Sequence, residues 1–290
     1  MAPPDSSRPA PALTGLALMA LSATSYGIIP IFARLAFDAG VTPLTLLSLR
    51  YLAATAILGT WLRLAGRPLL LQRGRRFAGV VTGLFFAVMA YTYLAAIRAI
   101  PVSLAVLLFF TYPLLVTLLG WLRGEGLGLR RSLAVLAAFL GLALALGVEV
   151  GKLDYLGVCL ALMGSLIYTV AIFYFGRATT GTDPMAVSLQ AMATCAAIFV
   201  PIAIARGEIL PPDSSLGLIG VLGVVVTYFV GLVAFFGALP RIGPVKTALL
   251  SQLEPVVSIL AAVIVLREEL GAVQGVGIAL MLGALLALAR

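Results

Sequence analysis

The sequence predicts an all-α membrane protein whose ten transmembrane helices form two inverted five-helix repeats. Three observations predict it. First, 62% of the 290 residues are hydrophobic and only 10% charged, with mean hydropathy +1.15, whereas soluble domains carry about 25% charged residues. Second, the apolar stretches come in blocks of about 20 residues, the length that crosses about 30 Å of hydrocarbon. Third, the two halves align on one another at a nearly constant offset, which an odd number of spans per half turns into inverted copies.

Breaking the chain at charged, Gly and Pro clusters gives spans near 13–33, 44–62, 77–97, 101–122, 132–148, 155–176, 185–205, 215–237, 244–266 and 271–289. Residues 1–12, Pro-rich and polar, read as a disordered cytoplasmic tail, since a signal peptide would place basic residues before its apolar stretch. The first repeat then occupies 13–148 and the second 154–289. Few residues separate spans three and four, around Arg98 and Pro101, or spans eight and nine, around Pro240 and Gly243, so tight hairpins are expected there.

The basic residues fix an expected orientation, because short cytoplasmic loops accumulate Lys and Arg. Arg8, Arg63, Arg67, Arg73, Arg75, Arg76, Arg123, Arg130, Arg131, Arg177, Arg241 and Arg290 fall on the side of the N-terminus. Arg34, Arg98, Lys152, Arg206 and Arg267 fall on the other. Both termini are therefore expected in the cytoplasm, with the protein multi-pass in a bacterial-type inner membrane. The net charge of +8 is scattered over loops instead of lining one face, which argues against a nucleic-acid partner.

Composition also excludes chemistry. The chain has no His, so imidazole is unavailable as base, proton relay or metal ligand. No Ser-Lys pair or convergent acidic cluster points to an enzyme, and no phosphate-binding Gly-rich loop points to direct ATP drive. No metal or other cofactor is expected. Cys159 and Cys195 lie in apolar runs and read as small buried hydrophobes. Nothing in the sequence fixes an oligomeric state.

The repeat is visible in individual residues. At an offset of 142, Gly15 falls on Gly157, Tyr26 on Tyr168, Ala96 on Ala238, Ile100 on Ile242, Pro113 on Pro255 and Gly141 on Gly283. At 143, Glu125 and Leu127 fall on Glu268 and Leu270. The doubled segment reads AIPVSLAVLLFFTYPLLVTLLGWLRGEGL at 99–127 and RIGPVKTALLSQLEPVVSILAAVIVLREEL at 241–270. With Arg50 near the start of the second span, this segment resembles the EamA-type transporters of the drug/metabolite transporter superfamily. Gly126 departs from the pattern where the second copy has Glu269. The resemblance implies a ten-helix bundle exporting small metabolites by alternating access, and within the superfamily the overall likeness is to exporters of aromatic amino acids. An amino acid is accordingly the expected small-molecule substrate and the lipid bilayer the expected surroundings, with a nucleoside, drug or other metabolite as the alternative cargo.

Polar residues in the spans are the candidates for a site, because each costs about 2.5–3.5 kcal/mol at midplane unless partnered or hydrated. Thr247, Ser251, Glu254 and Ser258 recur at helical spacing and are expected on one face of the ninth span, either as a cavity wall or as a seam of interhelical hydrogen bonds. Lys246 lies about 12 Å from Glu254 along the axis; it either meets an anion or, the favoured reading, snorkels to the interface. Arg50, about seven residues into its span, could reach headgroups or pair with a carboxylate, and a structural role is the favoured reading. Tyr26 and Tyr168, Phe86 and Tyr228, Tyr93 and Phe235, and Tyr112 and Glu254 are repeat mates whose aromatic faces either line a pocket or pack between helices. Ser22 and Ser25 stand beside Tyr26, strengthening the pocket reading there. Pro30, Pro113, Pro201 and Pro255 interrupt spans, and Pro113 and Pro255 are the candidate hinges. Glycines such as Gly157 with Gly164, or Gly275 with Gly283, read as packing devices.

Overall fold

Helix capping and apolar burial together account for the elements of the structure, a computed structural model that describes residues 11–71, 76–100, 102–124, 128–147, 154–209, 212–266 and 271–289. In chain order they are α1 (Pro11–Asp38), α2 (Pro43–Leu64), α3 (Arg76–Ala99), α4 (Val102–Phe109), α5 (Tyr112–Leu122), α6 (Gly128–Ala145), α7 (Tyr155–Ala178), α8 (Pro184–Ala205), α9 (Ser215–Leu250), α10 (Leu253–Leu266) and α11 (Ala272–Ala289). Four starts carry a side-chain cap: Thr42 accepts from the Thr45 amide at 3.1 Å, Asp154 from Leu156 at 2.8 Å, Asp183 from Met185 at 2.9 Å and Ser214 from Gly217 at 3.0 Å. Pro43 and Pro184 follow their caps, where a missing N–H is harmless.

Seven of the described helical segments are long and apolar enough to cross a membrane, and three shorter apolar helices accompany them. The chain is an all-α, multi-pass membrane bundle. Leu52, Leu118, Leu166 and Leu222 lie exposed on its outside, which water would penalise and hydrocarbon does not.

The tight connection expected between spans eight and nine falls at Gly243, where α9 is two helices meeting at a kink: its φ of 78° and ψ of 166° are non-helical and suit glycine alone. Two other expectations change. Spans four and nine, expected continuous, are each broken, between Phe109 and Tyr112 and between Leu250 and Leu253. The breaks are repeat mates. They precede Pro113 and Pro255, which occupy the first turns of α5 and α10, where no intrahelical N–H bond is required. Those two prolines start half-helices instead of kinking whole ones, while Pro30 and Pro201 lie inside unbroken helices.

Packing exchanges under the 142-residue offset. Helix α1 lies along α9 and α10, as α7 lies along α3, α4 and α5; α3 meets α8 as α9 meets α2; α2 packs on its mate α8 and α6 on its mate α11. The Glu125, Leu127, Glu268 and Leu270 matches, with Gly126 and Glu269, lie outside the described residues. Cys195 is buried, its thiol 3.3 Å from the Gly83 carbonyl oxygen. Cys159, expected buried, is exposed on α7, where bilayer contact serves a small hydrophobe as well as a core does.

Candidate functional site

The breaks in the two spans build the site. Phe110 and Thr111, and Ser251 and Gln252, bridge the halves by short turns: the Thr111 amide reaches the Leu108 carbonyl at 3.3 Å and the Gln252 amide the Leu249 carbonyl at 3.2 Å. The turns put Tyr112 and Glu254, repeat mates, at the starts of α5 and α10. Between α5 and the turn after α9, the Tyr112 hydroxyl is hydrogen-bonded to the Ser251 hydroxyl. Thr111 is tied to α7 through Ser165 at 2.8 Å.

Around these turns lies a cavity of about 350 Å³, within the size range of small-molecule sites. Of the sequence-derived candidates, Tyr26, Phe86, Tyr93, Tyr112, Tyr168, Tyr228, Phe235 and Glu254 line it. The rings form two clusters: in one, Tyr112 meets Tyr168 edge-on at 4.7 Å and Tyr168 stacks on Phe109 at 5.6 Å; in the other, Tyr26 and Tyr51 both approach Tyr228, at 5.8 and 5.6 Å. Such contacts hold aromatic walls in fixed orientations.

The other candidates stand outside the lining. Ser22 donates to the Gly231 carbonyl at 2.9 Å, stitching α1 to α9, and Ser25 donates back to Leu21 at 2.8 Å. Ser251 is consumed by Tyr112 and by the Ala248 carbonyl. Lys246 is exposed on the outside of the bundle. The continuous polar face expected for Thr247, Ser251, Glu254 and Ser258 is interrupted, because α9 ends at Leu250 and α10 starts at Leu253. Thr247 is buried and bonded to the Gly243 carbonyl at 2.7 Å.

The lining includes residues that the sequence reasoning passed over. Tyr51, Phe109, Phe110, Met192 and Phe236 line the cavity, and so does Arg50. Arg50 lies seven residues beyond Pro43, about 10 Å along α2. Its guanidinium does not snorkel: the central carbon sits 4.8 Å from the Tyr51 ring centre and 4.5 Å from that of Tyr228, with one hydrogen bond of 3.2 Å to the Tyr51 hydroxyl. An ionisable residue that deep is by default a functional candidate, and that was the signal to follow.

Access to the cavity is one-sided. Its wall runs from the central turns to Ala33, Phe37, Pro43 and Leu46, at the junction of α1 and α2. The repeat mates of these four residues are Phe175, Thr179, Met185 and Ser188, at the junction of α7 and α8, and all four are buried. At that closed end Asp183 also forms a two-pronged ion pair with Arg67, at 2.8 and 2.6 Å. At the open end Thr42 donates to the Glu208 carboxylate at 2.9 Å. Among the described residues no group of three or more His, Cys, Asp or Glu side chains gathers as a metal site.

A membrane-embedded helical bundle with broken helices around a central, one-sided cavity defines a transporter. The chain belongs to the EamA-like transporter family, which matches it twice, over residues 13–147 and 155–290. It is a transporter and not an enzyme. It is 28% identical to an uncharacterized transporter of Archaeoglobus fulgidus over 94% of this chain and 95% of that one. It is 32% identical to the threonine/homoserine exporter RhtA of Escherichia coli over 69% of this chain and 65% of the exporter, and 31% identical to RhtA of Salmonella typhimurium over 66% and 64%. The match thus spans just under two thirds of those exporters' length. A solved crystal structure superposes with a TM-score of 0.77 at 20% identity, covering 96% of both chains, and shares the fold.

Proposed function

We propose that this protein is a secondary transporter exporting amino acids, aromatic or over a broad range, from the cytoplasm by alternating access. The observation that carries the reading is Glu254: a carboxylate at the start of a half-helix, facing an aromatic cavity, with no hydrogen bond or ion pair to any described residue. A buried carboxylate costs free energy unless a cation or donor meets it, and a substrate ammonium group is such a partner. The threonine and homoserine exporters among the relatives support an amino-acid cargo. The preference for flat side chains rests on the ring-lined wall.

The doubled family match and the exchanged packing support two inverted five-helix repeats, residues 13–148 and 154–289. Both termini and the tail of residues 1–12 lie in the cytoplasm, and the membrane is a bacterial-type inner membrane. Pro113 and Pro255, at the starts of the half-helices, are the bending points.

The test is flux from liposomes preloaded with labelled phenylalanine or threonine, for wild type, Glu254→Gln and empty vesicles, with and without a pH gradient. Protein-dependent efflux of either amino acid, reduced at least about tenfold by Glu254→Gln, is expected for a group that meets the ammonium. Accumulation driven by a pH gradient in wild type alone would make Glu254 the coupling site as well. Folded wild-type protein that moves no amino acid sinks the reading and leaves another metabolite, a nucleoside or a drug as cargo.

A further inference from the structure

The repeat offset assigns every wall residue of the cavity a mate, and several pairs of mates on the wall match in kind. Tyr26 answers Tyr168, Phe86 answers Tyr228, Tyr93 answers Phe235, and Leu94 answers Phe236, all on the wall. The two charged wall residues break the match. Arg50 has Met192 as its mate, and Glu254 has Tyr112. The cavity is therefore polarised by one cation and one anion from different helices, α2 and α10. They are not ion-paired with each other.

Arg50 is also incompletely partnered. The faces of Tyr51 and Tyr228 hold its guanidinium plane, but of its five N–H donors only one meets an acceptor among the described residues, the Tyr51 hydroxyl. Its Nε is buried with no acceptor at all. A guanidinium held by rings, with terminal N–H donors left over, matches a carboxylate, which accepts charge-assisted hydrogen bonds from them.

We propose that Arg50 is the carboxylate subsite of this cavity, so that the substrate class is the zwitterionic α-amino acid, its carboxylate on Arg50 and its ammonium toward Glu254. The assignment rests on the transport reading above and adds to it a residue and a selectivity: an amine that lacks the carboxylate binds less well. Met192 opposite Arg50 gives the carboxylate no second cation, which fixes one orientation of the zwitterion.

The experiment is equilibrium binding to purified full-length protein in lipid nanodiscs, with L-phenylalanine and its decarboxylated analogue phenethylamine as probes. Wild type is expected to prefer phenylalanine by at least about tenfold. Arg50→Gln is expected to bring that ratio to near unity, and Arg50→Lys to restore part of it, since an ammonium keeps the charge but lacks the fork. If Arg50→Gln does not fold, the wild-type ratio and the Arg50→Lys variant still decide. Equal wild-type binding of the two probes overturns the assignment while amino-acid transport stands, and so does a preference for phenylalanine that survives in Arg50→Gln. Folded wild type that binds no amino acid removes the transport reading together with this assignment.

Discussion

The backbone of Glu254 is held as closely as its side chain is left free. A Cβ built on Gly27 would fall 2.7 Å from the Glu254 carbonyl oxygen and 2.7 Å from Val257 Cβ, so α1 meets α10 backbone to backbone at this point. Overpacking costs about 1–3 kcal/mol, and here the displaced atoms belong to the site. Gly27→Leu is expected to lower thermal stability and abolish efflux, whereas Gly283→Ala, with open space around it, leaves both unchanged; melting in nanodiscs and liposome flux read the two effects. Gly283, expected to be a packing glycine, is not one. The Tyr112–Ser251 contact gives a second prediction. Membrane side-chain hydrogen bonds average about 0.6 kcal/mol, so a double-mutant cycle of Tyr112→Phe and Ser251→Ala should return a coupling near that value, and a coupling of zero would falsify the bond. Among single residues, the sequence made the aromatic mates legible because an offset of 142 pairs them without reference to geometry. Arg50 was less legible: its distance from the helix start allowed snorkelling, and only the positions of Tyr51 and Tyr228 show the guanidinium turned inward.

At the scale of elements, α2 and α8 are fastened to one another at both ends. Arg67, beyond the end of α2, grips Asp183, the cap of α8; Glu208, beyond the end of α8, accepts from Thr42, the cap of α2. The Thr45 hydroxyl adds a bond to the Glu208 carbonyl oxygen. Asp183 has two tasks, the Met185 amide and the Arg67 fork, and Arg67 has one, along with its stacking over Trp61 at 5.1 Å. A partly exposed ion pair contributes about 0–1 kcal/mol and an N-cap about 1 kcal/mol. Asp183→Ala should therefore destabilise the protein more than Arg67→Ala by about the value of the cap, as measured by thermal melting of both variants; equal losses would mean that the cap contributes nothing. Helix identity was readable from hydropathy because each span is apolar all round. The breaks in the fourth and ninth spans were not, since Phe109 and Phe110 continue the hydropathy of the fourth, and Ser251 and Glu254 in the ninth read as one polar face of an unbroken helix. Proline marked the neighbourhood, but a proline kink and a proline at a half-helix start look the same in a sequence.

For the whole molecule, the relation between the repeats becomes a statement about mechanism. Two copies with the same contacts would, in a fully symmetric arrangement, open equally to both faces. This bundle has an open junction between α1 and α2 and a closed one between α7 and α8, so the two halves differ in how they pack against the centre. Exchanging those two packings would close the first mouth and open the second without breaking a further helix, because the central turns already interrupt the two spans. In that exchange Phe37 and Pro43 take the buried environment now held by Thr179 and Met185. The consequence is measurable with single cysteines in a background where Cys159 and Cys195 are alanine. A membrane-impermeant thiol reagent added at the face bearing the α1–α2 junction should label Phe37→Cys and Pro43→Cys in resting protein. Thr179→Cys and Met185→Cys should stay unlabelled from either face at rest. During amino-acid turnover the second pair should become reactive from the opposite face while the first pair slows. Labelling of all four cysteines at once, in the same state, would indicate a continuous pore and rule out alternation between the two junctions.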